Sequence, residues 1–157
     1  MSDLKSIIKY IVSRYPKKTK LSKIRLIKII YLADWRSAIV RGKQITSIKW
    51  KFGDCGLEPD VNIELPEKKD FGFLVEHLSL SQEDKEVLDH AMKTSAEKNW
   101  AEFVSIVYST YPILNQNSSE AKEFDLIQLA NLYKDMKNEQ MQRDKTLFDT
   151  DFGIRLE

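Results

Sequence analysis

One cysteine, two histidines, four prolines and five glycines in 157 residues leave little material for a cross-linked or reactive site. Cys55 stands alone, so no intramolecular disulfide is available, and a reducing, cytoplasmic setting is expected. A metal centre needs several Cys, His or carboxylate ligands at suitable spacings. Cys55, His77 and His90 are isolated, without a CxxC or HExxH motif, and neither metal nor cofactor is expected. Nucleophilic catalysis needs Cys55 or a serine oriented by a histidine; His77 and His90 could approach such a group in space, but no GxSxG-type signal is present. Gly53 and Gly56 are too close together for a Walker or dinucleotide loop. Asp54, Glu58 and Asp60 gather near a turn, where carboxylates are normally solvated. Long apolar runs are missing too: the longest, Ile29 to Ala33, falls far short of the ~20 residues that cross a bilayer. The opening Met1-Ser2-Asp3-Leu4-Lys5 leads into charged residues, so neither a signal peptide nor a membrane partner is expected. These absences point to a binding protein and not to an enzyme.

What is present suits one packed domain. With 42% hydrophobic and 10% aromatic residues the chain can build a core, and a domain of this length buries roughly 70% of its unfolded surface. The net charge of +1 conceals an asymmetry. Residues 1–51 hold fourteen Lys or Arg against two acids, Asp3 and Asp34, a net of +12, and the remainder carries −11. Such polarity serves a phosphate-rich partner, an acidic protein partner, or the molecule's own acidic half. Aromatic residues are not interleaved with the basic run as nucleic-acid grooves prefer, which leaves nucleic acid the second choice of partner.

Periodicity places the elements. Leu4, Ile7, Ile8 and Ile11 recur at helical spacing behind a cap at Ser2 or Asp3, and Pro16 ends that helix. Lys17-Lys18-Thr19-Lys20 follows as a basic connector. A second helix is expected from Leu21 to Arg41, with Gly42 as its left-handed cap. Its apolar residues surround most of its circumference, the mark of a central, buried helix. Asp34 lies inside it, and a carboxylate there requires a partner; Arg41, seven residues on along the same side, is the expected one. Ile48, Trp50 and Phe52 alternate with lysines as a strand, Gly53-Asp54-Cys55-Gly56 reads as a turn, and Pro59 is expected to open a short helix over 60–65. Phe71 to Val75 is a plausible second strand. Three further helices are expected: one capped at Ser81, with Val87, Leu88 and Ala91 inward; one from Asn99, with Phe103 and Val107; and one from Asp125, with Leu126, Leu129, Ala130 and Tyr133. The predicted fold is mainly α with a small antiparallel β patch around a buried central helix. A domain over residues 1–137 is followed by a polar hinge and an amphipathic tail over 138–157. Trp35, Trp50 and Phe52 are expected in the core.

The order of these features resembles the Panacea family, the SocA-like antitoxin domains. Lys23-Ile24-Arg25-Leu26-Ile27-Lys28-Ile29-Ile30-Tyr31-Leu32-Ala33-Asp34 is similar to that family's helix motif K-L-x-K-L-L-Y-L-A-D. Gly42-Lys43-Gln44-Ile45-Thr46-Ser47-Ile48-Lys49-Trp50 is similar to its G-x-x-I-T-x-x-x-W stretch. Weaker likeness continues through Leu88-Asp89, Tyr108 to Pro112 and Phe124 to Ile127, so that it covers Leu4 to Lys134. The family's Tyr-Gly-Pro turn is replaced here by Phe52-Gly53-Asp54, with Pro59 further on.

The resemblance implies an antitoxin, often carried by phages or other mobile elements, that neutralises a toxin encoded next to it by direct protein contact. It also implies that some members act as adaptors presenting the toxin to a host protease. The residues expected to meet a partner are Lys17, Lys18, Lys20 and Lys23 and, in the apolar tail from Leu147 to Leu156, Phe148, Phe152 and Ile154. That tail either packs back on its domain or engages the partner. Tyr31, Asp34, Trp35, Arg41 and Trp50 are expected to form the structural core motif. A nucleic-acid-binding regulator using the basic N-terminal third is the alternative.

Overall fold

The helix that organises the chain is α2, Lys23–Arg41, nineteen residues long and buried from Arg25 to Ala38 apart from Ile27 and Arg36. Ser22 caps it by accepting the Arg25 amide, which moves its start two residues beyond the expected Leu21. Gly42 closes it in the left-handed conformation, φ 72°, with its N–H on the Ala38 carbonyl. The computed structural model describes residues 3–53, 56–67, 80–115 and 122–152, with side chains as far as Lys145. The fold is mainly helical with a small antiparallel sheet.

The remaining helices are laid against α2. Helix α1, Leu4–Arg14, buries Ile7, Tyr10 and Ile11, and Tyr15 and Pro16 end it as the sequence predicts. Asp3 occupies the N-cap, but its side chain makes no capping bond. A single 3-10 turn at Lys18–Lys20 carries the basic connector into α2. Helix α3, Gln82–Ala96, is capped by Ser81 and buries Val87, Leu88, Ala91 and Met92. Helix α4, Trp100–Tyr108, begins with a full capping box between Asn99 and Glu102. Tyr111-Pro112 does not merely end α4; it opens a further short helix, α5, Tyr111–Leu114, with the proline in a first turn where no N–H is required.

Helix α6, Leu126–Phe152, packs through its first turns, burying Leu126 and Ala130. The polar run from Asn138 to Lys145, expected as a hinge, is helical and continuous with it. That run is rich in Glu, Gln, Met, Lys and Arg, all strong helix formers, so helix propagates without an apolar face to dock.

The sheet has the order β2-β1-β3. Strands β1, Trp50–Gly53, and β2, Gly56–Pro59, form a hairpin in which Trp50 faces Pro59 and Gly53 faces Gly56. Pro59 therefore closes an edge strand and does not open a helix. On an edge its missing N–H takes nothing from the ladder. The third strand, β3, Lys122–Glu123, comes from the residues just before α6, and the Phe124 N–H extends it onto the Trp50 carbonyl at 2.7 Å. The expected strand at 71–75 lies outside the described residues, as do Asp54, Cys55 and His77.

Candidate functional site

The motif residues Tyr31, Asp34, Trp35 and Trp50 are all buried, and Asp34 is at their centre, 0% exposed. Among the described residues no cation pairs with its carboxylate. Oδ1 accepts the backbone amides of Ile45 and Thr46, each at 3.0 Å. Oδ2 accepts the Thr46 hydroxyl at 2.5 Å, the Trp50 indole N–H at 2.9 Å and the Gln44 amide at 3.2 Å. The Gln44 amide also reaches the Thr46 and Ile48 carbonyls, which ties the whole connection to the helix. Burial pushes the Asp34 carboxyl up to about 6, while the bonds from Thr46, Trp50 and Ile45 act the other way. Arg41 is not its partner. Two turns further along α2, the Arg41 guanidinium meets Asp84 at 2.8 Å, Glu83 at 3.5 Å and the Ser37 hydroxyl at 2.7 Å. That arrangement clamps the end of α2 to the start of α3.

Around this centre the aromatic rings interlock edge to face. Tyr31 meets Trp50 at 5.4 Å, Trp35 meets Tyr133 at 5.7 Å, and Tyr133 meets Tyr111 at 5.6 Å. The Tyr31 hydroxyl bonds to the Thr110 hydroxyl at 2.8 Å. Offset and edge contacts of this kind add about 0.5–1.5 kcal/mol each beyond area burial. The Asp34 carboxylate, the Trp50 indole N–H, the Tyr31 hydroxyl and the Arg41 guanidinium thus all have partners inside the fold.

The opposite end of α2 differs. Lys17, Lys18 and Lys20 are exposed and form no ion pair among the described residues. Lys23, grouped with them from sequence, is engaged by Glu64 at 2.9 Å. Beneath this rim lies a cavity of about 480 Å³, bounded by the 3-10 turn, the start of α2 and the connection between α3 and α4. Lys17, Lys20, Arg25 and Lys98 line it against one acid, Glu97, and both helix caps, Ser22 and Asn99, face it as well.

Arg25 forms the floor of this cavity and is only 6% exposed. Its Nη1 donates to the Ser95 hydroxyl at 2.9 Å, the Ser95 carbonyl at 3.2 Å and the Tyr15 hydroxyl at 3.4 Å. The guanidinium stacks 5.3 Å from the Trp100 ring and 5.4 Å from that of Phe103. Among the described residues no carboxylate pairs with it. One turn along, Lys28 is also buried and sits 5.6 Å from the rings of Trp100 and Tyr108, and burial holds its amine below the usual lysine value. Arg25, Lys28 and Trp100 were not singled out from sequence. The available signal is a pair of cations three residues apart in a helix whose apolar residues surround most of its circumference.

The side chains of Phe148, Phe152 and Ile154 lie outside the described residues. Before them α6 presents Leu132, Met136 and Met141 to solvent. No helix among the described residues is long and apolar enough to cross a membrane. No family model matches the chain, and no curated protein or solved structure matches it either.

Proposed function

We propose that this protein is an antitoxin-like binding module that neutralises a cognate toxin by direct contact, without catalysing a reaction of its own. The observation that carries this reading is the exposed cluster Lys17, Lys18 and Lys20, left without acidic partners among the described residues. An unneutralised patch of one sign speeds encounter with a partner of the other and selects its orientation. Leu132 and Met136, exposed and one turn apart on α6, supply a second apolar contact surface. The likeness of the Lys23–Asp34 and Gly42–Trp50 stretches to antitoxin domains names the class of partner: a toxin encoded next to this chain in the cytoplasm, with a host protease as a further partner where the module acts as an adaptor.

The test is co-expression with the product of the adjacent gene. The expected result is relief of that product's toxicity and co-purification, both lost when Lys17, Lys18 and Lys20 are changed together to Glu. A neighbour that is harmless alone, or a complex indifferent to the triple reversal, removes the support.

A second reading, binding of nucleic acid, rests on Trp100, which is 43% exposed beside the same basic patch. An accessible ring among cations suits base stacking. Phosphate-driven binding weakens steeply with salt, so a gel-shift series across salt concentrations separates the two readings; no shift even at low salt eliminates the nucleic-acid one.

A further inference from the structure

We infer that the cavity above Arg25 is a binding site for the phosphate monoester group of a small molecule. The inference goes beyond the reading of the basic rim as a protein-docking surface and does not rest on it.

Three observations converge. The first is a permanently charged guanidinium, 6% exposed, whose Nη1 is satisfied by Ser95 and Tyr15. Its Nε and Nη2 have no hydrogen bond, and its charge has no carboxylate, among the described residues. Guanidinium donors are arranged in a fixed fork that fits two oxygens of a tetrahedral anion. The second is the charge around the cavity: Lys17, Lys20, Arg25 and Lys98 against Glu97 alone. A single carboxylate would leave most of that positive charge unbalanced, whereas a phosphate dianion comes close to cancelling it. The third is the pair of helix starts that face the cavity through their caps, Ser22 of α2 and Asn99 of α4. The start of α2, with no acid in its first turn, adds positive potential where an anion would sit; at α4 that potential is partly met by the Glu102 carboxylate, which accepts the Asn99 N–H. At about 480 Å³ the cavity lies within the roughly 300–1,000 Å³ range of small-molecule sites and has room for more than the phosphate itself.

The test is calorimetric titration of the full chain with inorganic phosphate, with a nucleoside monophosphate, and with a single-stranded oligonucleotide lacking a terminal phosphate. The expected result is saturable binding of the first two, accompanied by a shift of the Trp100 indole resonance, and weak or no binding of the third. Loss of one charge-assisted contact reduces affinity about 10- to 100-fold. Arg25→Met is therefore expected to lose binding by about that factor, and Lys17→Ala with Lys20→Ala by about tenfold. The lysine pair is exposed and unpaired, so it carries the test if Arg25→Met does not fold. The inference is overturned if phosphate fails to saturate the native chain by roughly 10 mM, if neither variant changes affinity, or if the oligonucleotide binds as tightly as the monoester. Toxin binding measured on Arg25→Met reports on the protein-docking reading separately, because that reading depends on the exposed rim and not on the cavity floor.

Discussion

Truncating Asp34 to Ala is the sharpest perturbation this structure allows. The carboxylate accepts five hydrogen bonds from Gln44, Ile45, Thr46 and Trp50. Truncation leaves two buried backbone N–H groups, an indole N–H and a hydroxyl without an acceptor, each costing about 1–3 kcal/mol. Against that sum stands the relief of a desolvated charge, since burial has already pushed the carboxyl up to about 6. The balance of unsatisfied donors against the relieved charge is a loss of about 3–5 kcal/mol. Domains are stable by only about 5–15 kcal/mol. With a urea slope of about 1–3 kcal/mol per molar, the unfolding midpoint should fall by about 2 M.

Urea unfolding followed by circular dichroism measures this, and a second substitution identifies the cause. Trp50→Phe removes one donor and keeps an aromatic ring against Tyr31, at the further cost of the buried pyrrole half of the indole, which is the same in both backgrounds. In the native background it should cost about 1–2 kcal/mol, and in the Asp34→Ala background markedly less, because the donor it removes is already unpaired. Asp34→Asn should also destabilise, since its amide sets donors against donors. An Asp34→Ala loss below about 1 kcal/mol, or strict additivity with Trp50→Phe, would refute the assignment of this carboxylate as the organiser of the 44–50 connection.

Three further outcomes follow. The Asp34 carboxyl should titrate with a midpoint near 6 by carbon NMR, raised from an ordinary 3.8. The folded chain then keeps a proton that the unfolded chain releases between about pH 4 and 6. This group's contribution to stability therefore falls as pH rises through that window, by about 3 kcal/mol, and the slope should vanish in Asp34→Asn. Gly56 sits at φ 88° with its would-be Cβ 2.9 Å from the Tyr108 hydroxyl, so Gly56→Ala should cost about 1–3 kcal/mol in thermal unfolding, with Tyr108→Phe recovering only the steric part. Asp84→Ala should lower stability by about 2–3 kcal/mol by leaving the half-buried Arg41 end of α2 without its closest carboxylate; an unchanged midpoint would show that the clamp contributes nothing.

The longer helices are legible because the signals that specify them are local, whereas the four-residue α5 is not. Ser22, Ser81, Asn99 and Asp125 each accept an amide of the following turn, Gly42 takes the left-handed closing position, and the inward residues recur at helical spacing. What depended on tertiary context was misplaced. Pro59 looks like a helix opener until β2 is known to be an edge strand. Strand β3 is two residues long and exists only because β1 offers it a ladder. Burial in an apolar helix predicts that Asp34 needs partners, but proximity in sequence points to Arg41, which pairs with Asp84 and Glu83. The actual donors stand ten to sixteen residues away and are backbone and indole groups, which no charge pattern reveals. The cavity was half legible: its rim lysines form an obvious run, whereas its floor, Arg25, is hidden in an apolar helix, and Lys98 and Trp100 arrive from another part of the chain.

The charge asymmetry of the sequence is resolved unevenly by folding. Basic residues of the first third that find acids take them from beyond Lys51: Lys23 meets Glu64, Lys51 meets Glu58, and Arg41 meets Glu83 and Asp84. Arg14 stacks on Tyr10, whose hydroxyl donates to Asp89. The acidic remainder thus neutralises a few cations of the basic third, Lys23, Arg41 and Lys51 among the described residues. It stops short at the start of α2, where Arg25 and Lys28 are buried against Trp100, Phe103 and Tyr108 in place of carboxylates. A ring face offers a cation about 0.5–2 kcal/mol, less than the several kcal/mol that removing the charge from water costs. The chain has 24 acidic residues with which to close that gap; at this end only Glu97 lines the cavity. The positive potential that the fold leaves uncancelled there is the property an incoming anion or an acidic partner surface would use.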